Sequence, residues 1–181
     1  MQIESIYSSF LLFIEKIGIY SNDIFSNYRC MEINNNFACT LSNMSLYVFF
    51  FLYLVLIFFF FKEKWEKNVE HKMILFSLVI ILLFILTNKV FSSQYLVWFF
   101  PLCFMISPVL KKDSFKGVDI FFITVSLMSI IIYPIFYNLL INKNIILITL
   151  LLFRNLLLIF LLFNLFKLAI NKNDDIFYIK D

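Results

Sequence analysis

Hydrophobic and polar positions divide this chain into long apolar blocks joined by short polar ones. Residues 44–61, 73–87, 95–110, 118–141 and 145–167 are almost wholly apolar. Between them stand a charged run at 62–72, Lys111-Lys112-Asp113 and Asn142-Lys143-Asn144. A bilayer core takes about 20 helical residues, with a range of roughly 17–25. The pattern therefore predicts five membrane-spanning helices, the fourth interrupted at Pro134. The blocks at 73–87 and 95–110 are slightly short, so each should extend into the residues between them or tilt little. Ahead of the spans, Ile6, Phe10, Phe13, Ile14 and Ile17 recur at helical spacing, with Ser5, Ser8, Ser9, Glu15 and Lys16 between them. That is an amphipathic helix too short to span, expected to lie along the membrane interface. Residues 20–43 are polar and predict an external loop holding a small hairpin.

The expected fold is thus an all-α polytopic transmembrane bundle of about five spans plus an N-terminal interfacial helix. Residues 1–43 form the external helix and loop, 44–170 the bundle and 171–181 a cytoplasmic tail. Composition agrees: 62% of the chain is hydrophobic, 15% is charged and the mean hydropathy is +0.92. A soluble domain of this size could not hide so much apolar surface. The abundance of Phe, Ile, Asn and Lys fits AT-rich coding better than any special role for Phe.

The net charge of +3 is no nucleic-acid signal, because the lysines sit in the short loops. Lys62, Lys64, Lys67, Lys72, Lys111, Lys112, Lys116, Lys167, Lys172 and Lys180 fall on one side of a five-span arrangement. The other side has Lys16, Arg29, Lys89 and Lys143. Cytoplasmic loops carry the excess of Lys and Arg, so residues 1–43 and the loop at 88–94 are expected outside and the C-terminus inside. A bacterial plasma membrane is the expected location. Cys30 and Cys39 share a polar stretch, where a disulfide and two unpaired thiols are both open readings. His71 has no Cys or second His near it and reads as a solvated surface residue, with Glu63, Glu66 and Glu70 against Lys62, Lys64 and Lys67. Neither a metal nor a cofactor is expected.

Polar chemistry concentrates in one run, Asn88 to Pro101. Lys89 could hold a phosphate as a compact cation. Ser92, Ser93 and Gln94 could bond phosphate or sugar oxygens, and Tyr95 and Trp98 could stack on a sugar face. The competing reading is an ordinary interfacial loop with a snorkelling lysine and an aromatic belt. Arg154 and Asn155 lie about 15 Å into the last span at the helical rise. An arginine there costs at least ~2.5–3.5 kcal/mol and normally faces protein or a wet cavity. It reads equally as a functional group or as a structural one bonded to backbone carbonyls, such as those freed near Pro134. Glu4, an external carboxylate, is a weak candidate for general acid–base work.

Asn88-Lys89-Val90, Ser93-Gln94-Tyr95, Trp98 and Pro101 together resemble the NKV-x-[ST]-[SP]-Q-Y-x-x-W signature of GT-C type membrane glycosyltransferases. The run is similar both to the bacterial and archaeal family 87 group and to the first mannosyltransferase of GPI-anchor synthesis. Ser92-Ser93 stands where bacterial members often have Ser-Pro. Gln2-Ile3-Glu4-Ser5 resembles an LQxES segment that precedes an external amphipathic helix in family 87-like proteins, and Arg154-Asn155-Leu156-Leu157 resembles an RNLL in their last span.

The resemblance implies transfer of a sugar, mannose above all, from a polyprenyl-phosphate carrier to an acceptor on the outer face. It implies that Lys89, Ser93, Gln94, Tyr95, Trp98 and Arg154 bind substrate, with Lys89 and Gln94 lining one external pocket. In that superfamily the catalytic carboxylate lies in an early external loop upstream of the matched region. The chain is therefore expected to be the C-terminal part of such an enzyme, partnered by the upstream spans, the donor lipid and the bilayer. The alternative class is a non-enzymatic small membrane protein, a transporter or an assembly subunit.

Overall fold

The computed structural model describes residues 1–27, 30–62, 69–106, 110 and 112–171. The molecule is an all-α bundle with a two-stranded sheet at one end. Among the described residues four stretches are long and apolar enough to cross a membrane: Asn36–Lys62, Val69–Thr87, Val118–Ile135 and Ile145–Ala169.

Helix α1 (Ile6–Lys16) is capped by Ser5, whose hydroxyl accepts from the Ser8 N–H at 3.2 Å. Strands β1 (Asp23–Asn27) and β2 (Cys30–Asn34) form the antiparallel hairpin expected inside the polar stretch. That stretch is shorter than its composition implies, because α2 (Asn36–Lys62) starts within it. Asn35 ends the loop: its Oδ1 accepts from the Ala38 N–H at 2.6 Å, satisfying a donor the helix leaves open. Cys30, Cys39 and Cys103 are all unpaired.

Helix α3 (Val69–Thr87) likewise starts earlier than the apolar pattern. His71 and Lys72 belong to it rather than to a solvated loop, and Lys72 is buried. Lys62 and Glu70 are exposed, whereas Glu63, Lys64, Glu66 and Lys67 lie outside the described residues. The third expected span departs most. It forms a 3-10 helix over Ser93–Trp98 and then α4 (Phe100–Ile106). At rises of about 2.0 and 1.5 Å per residue these described pieces cover roughly 22 Å, and residues 107–109 of the expected span lie outside the described residues. Pro101 sits in the first turn of α4, where a missing N–H is tolerated, so the helix restarts there instead of continuing.

Helix α5 (Lys112–Ile130) runs into a π-helical turn at Ile131–Ile135. Tyr133 takes extended angles (φ −134, ψ 124) because the residue before a proline avoids helix. After α6 (Tyr137–Ile141), Lys143 turns the chain with φ 56, and Asn144 caps α7 (Ile145–Ala169) by accepting from the Ile146 N–H at 2.9 Å.

Helix α7 is the axis of the bundle, packed against α1, α3 and α5. Leu75, Leu78, Leu82 and Ile85 of α3 share one buried cluster with Leu158, Leu161 and Leu165 of α7 and Val125 of α5. Between lipid-embedded helices such contacts hold by dispersion and fit rather than by release of water. Helix α2 lies outermost, with Phe51, Phe58 and Phe61 all more than half exposed, as suits a lipid-facing helix. Helix α1, the hairpin, the start of α2, the loop after α3 and the turn at 142–144 meet at one end. Tyr7 there donates to the Thr87 carbonyl at 3.1 Å, and the Lys143 ammonium reaches Glu15 at 2.6 Å.

Helix α1 corrects the amphipathic reading. Ser8, Ser9, Leu11 and Leu12 are its buried residues, while Phe10 and Ile17 are exposed. Ser9 faces inward to accept from Asn155 of α7 and Ser8 pairs with Ser5, while Ile6 and Phe13 pack against the core, so of the apolar stripe Phe10 and Ile17 are left exposed.

Candidate functional site

Glu4 stands just before the cap of α1, so no helical N–H claims its main-chain carbonyl. Residues 1–3 hold it in place. Ile3 N–H donates to the Met31 carbonyl at 3.0 Å and Ile33 N–H to the Met1 carbonyl at 2.8 Å, which adds an extended segment beside β2. Gln2 N–H donates to the Lys89 carbonyl at 3.1 Å, joining that segment to the loop after α3. In this loop the Asn88 side chain accepts from the Val90 N–H at 3.0 Å, a local turn typical of Asn. Phe91, Leu96 and Phe99 are buried and anchor the run, which leaves the polar side chains between them at the surface or in clefts.

Arg154 is fully buried and meets Glu4 directly. Its Nη1 lies 3.3 Å from Glu4 Oε2 and its Nη2 donates to the Glu4 carbonyl at 2.8 Å. Nη2 and Nε also reach Asn155 Oδ1, at 2.9 and 3.2 Å. The guanidinium lies 4.6 Å from the centre of the Phe91 ring, a cation–π contact. Asn155 Nδ2 donates to Ser9 Oγ at 3.0 Å and approaches the carbonyls of Glu4 and Ser5 at 3.3 and 3.4 Å. Ser93 completes the cluster, its hydroxyl donating to Glu4 Oε2 at 2.8 Å. A buried guanidinium thus finds a carboxylate, a carbonyl, an amide and an aromatic face, the partners that make such a charge tolerable in a membrane. The carbonyl it uses comes from Glu4, not from the break at Pro134.

Glu4 of this cluster lines one cleft, and a second opens at Lys89. One, of about 360 Å³, is lined by Gln2, Glu4, Gln94, Tyr95, Tyr133 and Tyr137 among others. The other, of about 520 Å³, runs between α2 and the end of α3, with Lys89, Asn88, Asn43 and Ser45 beside Phe49 and Phe84. Lys89 and Gln94 therefore do not share a pocket as expected. Lys89 lines the cleft against α2, and Gln94 the cleft that holds Gln2 and Glu4. Lys89 is exposed, and its ammonium has no hydrogen-bond or ion-pair partner among the described residues.

Glu4, Ser93 and Arg154 come together; Gln94 and Tyr95 join Glu4 in the smaller cleft; Lys89 stays apart. Trp98 lines neither cleft. It is half exposed and stacks on Tyr95 with ring centres 4.9 Å apart. Sequence reasoning gave no binding role to Gln2, Tyr133, Tyr137 or the residues of α2. Gln2 adjoins Glu4 in a matched segment and Tyr133 precedes the span's proline, which were available signals. Nothing local marks Asn43 or Ser45.

No family model, curated protein or solved structure matches the chain. The chemistry of the site rests on its own geometry and on the resemblance of the three segments.

Proposed function

We propose that this chain is the C-terminal membrane part of a GT-C type glycosyltransferase, mannosyltransferase-like, using a polyprenyl-phosphate sugar on the external face. The upstream spans of that enzyme would supply the catalytic carboxylate. One observation carries the proposal. The three segments that resemble the family, Gln2–Ser5, Asn88–Pro101 and Arg154–Leu157, are far apart in sequence and converge on a single cluster. Convergence is what a shared site requires, and chance motif matches would scatter over the bundle.

The cleft at Lys89 suits the phosphate end of the donor. Its cation and the amides and hydroxyl beside it can hold phosphate oxygens, and Phe49 and Phe84 offer an apolar wall to the first prenyl units. Glu4 is held by Arg154 and Ser93, which fits a positioning role better than a free base. The working face is the end that gathers Lys16, Lys89 and Lys143.

A photoreactive polyprenyl phosphate, added to the chain in nanodiscs, tests this. Crosslinks should map to residues 42–49 or 84–89. Unlabelled polyprenyl phosphate should compete and phosphatidylglycerol should not. Lys89→Gln should weaken capture by roughly one to two decades, the scale of a hydrogen bond to a charged group. Labelling elsewhere, or equal competition by both lipids, would return Lys89 to an ordinary interfacial role.

A further inference from the structure

We infer that the smaller cleft is a subsite for a neutral hexopyranose, separate from the phosphate cleft at Lys89. The inference rests on the proposed function for its assignment to the donor sugar. The cleft itself points to the ligand. Gln2 is only 7% exposed, lines the cleft, and its Oε1 has no donor among the described residues. A buried amide oxygen left unpaired is costly, so the site is finished only when something donates to it. Glu4, beside it, adds carboxylate acceptor capacity.

The charge balance narrows the choice. Glu4 is paired with Arg154, so the cleft has little net charge to draw in an ammonium ion. Among the described residues no cationic side chain lines it to hold a phosphate. A hydroxyl both donates and accepts, so it satisfies an amide whichever way the amide is turned. Tyr95, Tyr133 and Tyr137 add aromatic faces and phenolic groups, the mixture that a pyranose with apolar and hydroxylated faces matches. The volume of about 360 Å³ falls within the range of roughly 300–1,000 Å³ usual for small-molecule pockets. Gln2, which lines this cleft, donates its N–H to the carbonyl of Lys89, which lines the other, at 3.1 Å. A sugar phosphate would then set its anion at Lys89 and its ring beside Gln2 and Glu4.

Trp98 provides a reporter through its stack on Tyr95, and Trp65→Phe removes the chain's other tryptophan. The full chain in nanodiscs would be titrated with methyl hexopyranosides, methyl α-mannopyranoside first. A saturable change in Trp98 emission is expected below a concentration on the order of 100 mM. Gln2→Leu should weaken it at least about tenfold, the scale of one lost buried hydrogen bond. Gln94→Ala, a change at an exposed position, should weaken it too, and Lys89→Gln should leave it unaltered. No saturable response in the wild type, or a response that Gln2→Leu and Gln94→Ala both leave intact, would overturn the subsite. Loss of polyprenyl-phosphate capture with an intact response to methyl hexopyranosides would instead count against the glycosyltransferase reading alone.

Discussion

Replacing Glu4 by Gln isolates the charge at the centre of the molecule. Glu4 and Arg154 are 2% and 0% exposed, and their nearest charged atoms lie 3.3 Å apart. At an effective dielectric of about 20 this pair is worth ~5 kcal/mol of Coulomb energy, before the cost of removing both ions from water or headgroups. Gln keeps the shape and can still accept from Ser93 and Arg154, so the change removes charge and little else. The guanidinium then stays buried with neutral partners alone: the Gln side chain, the main-chain carbonyl at position 4, Asn155 and the Phe91 ring. A destabilisation of about 3 kcal/mol is expected, at the low end of the ~3–5 kcal/mol for orphaning one member of a buried pair. Arg154→Met should cost at least as much, since it leaves the carboxylate with Ser93 alone. Glu4→Gln with Arg154→Met should cost less than the two single changes added, by about 2 kcal/mol. Unfolding in mixed micelles titrated with dodecyl sulfate, followed by far-ultraviolet circular dichroism, gives all three values. A Glu4→Gln cost below about 1 kcal/mol, or strict additivity of the pair, would mean that Arg154 draws its solvation from elsewhere.

Ser93→Ala removes a hydroxyl bonded to a charged carboxylate and should cost about 1.5–3 kcal/mol in the same assay, whereas the exposed Thr40→Ala should cost almost nothing. For Glu15, burial opposes ionisation, but hydrogen bonds from Lys143 and Asn22 and the Lys143 charge outweigh it and hold its carboxyl below the usual range. A depressed folded pKa stabilises above the unfolded value and fades as pH falls, so wild type should lose stability below about pH 4.5. Lys143→Gln should flatten that slope, and equal slopes in both proteins would show that the contact is not coupled to folding. The external assignment of the Lys89 end predicts that Lys89→Cys, in a background without other cysteines, reacts with an impermeant maleimide on intact cells and that Lys62→Cys does not. The reverse pattern would invert the topology.

Much of the fold was written in the order of residues. Four of the five apolar blocks became long helices, Pro134 broke its span, and the hairpin formed inside the polar stretch. These features are legible because they depend on near neighbours: hydropathy over twenty residues, a proline without an N–H, a run that cannot stay helical. Helix starts were less legible. Asn, Ser, His and Lys at the beginnings of α2 and α3 look like loop, and only the Asn35 cap and tertiary packing draw them into helix. The polar face of α1 was misjudged for a deeper reason. A serine is polar in sequence whether it meets water or a buried amide, and which of the two it meets is settled by α7 from some 146 residues away. The same holds for the site. Sequence marks Glu4, Lys89, Gln94 and Arg154 as out of place in hydrocarbon. Only the docking of residues 1–3 between β2 and the loop after α3 joins Glu4 to Arg154, sets Lys89 apart from Gln94, and leaves Gln2 buried with an acceptor unanswered among the described residues. Such pairings are decided by the chain as a whole, because a buried charge accepts whichever partner the fold brings within about 3 Å, however distant in sequence.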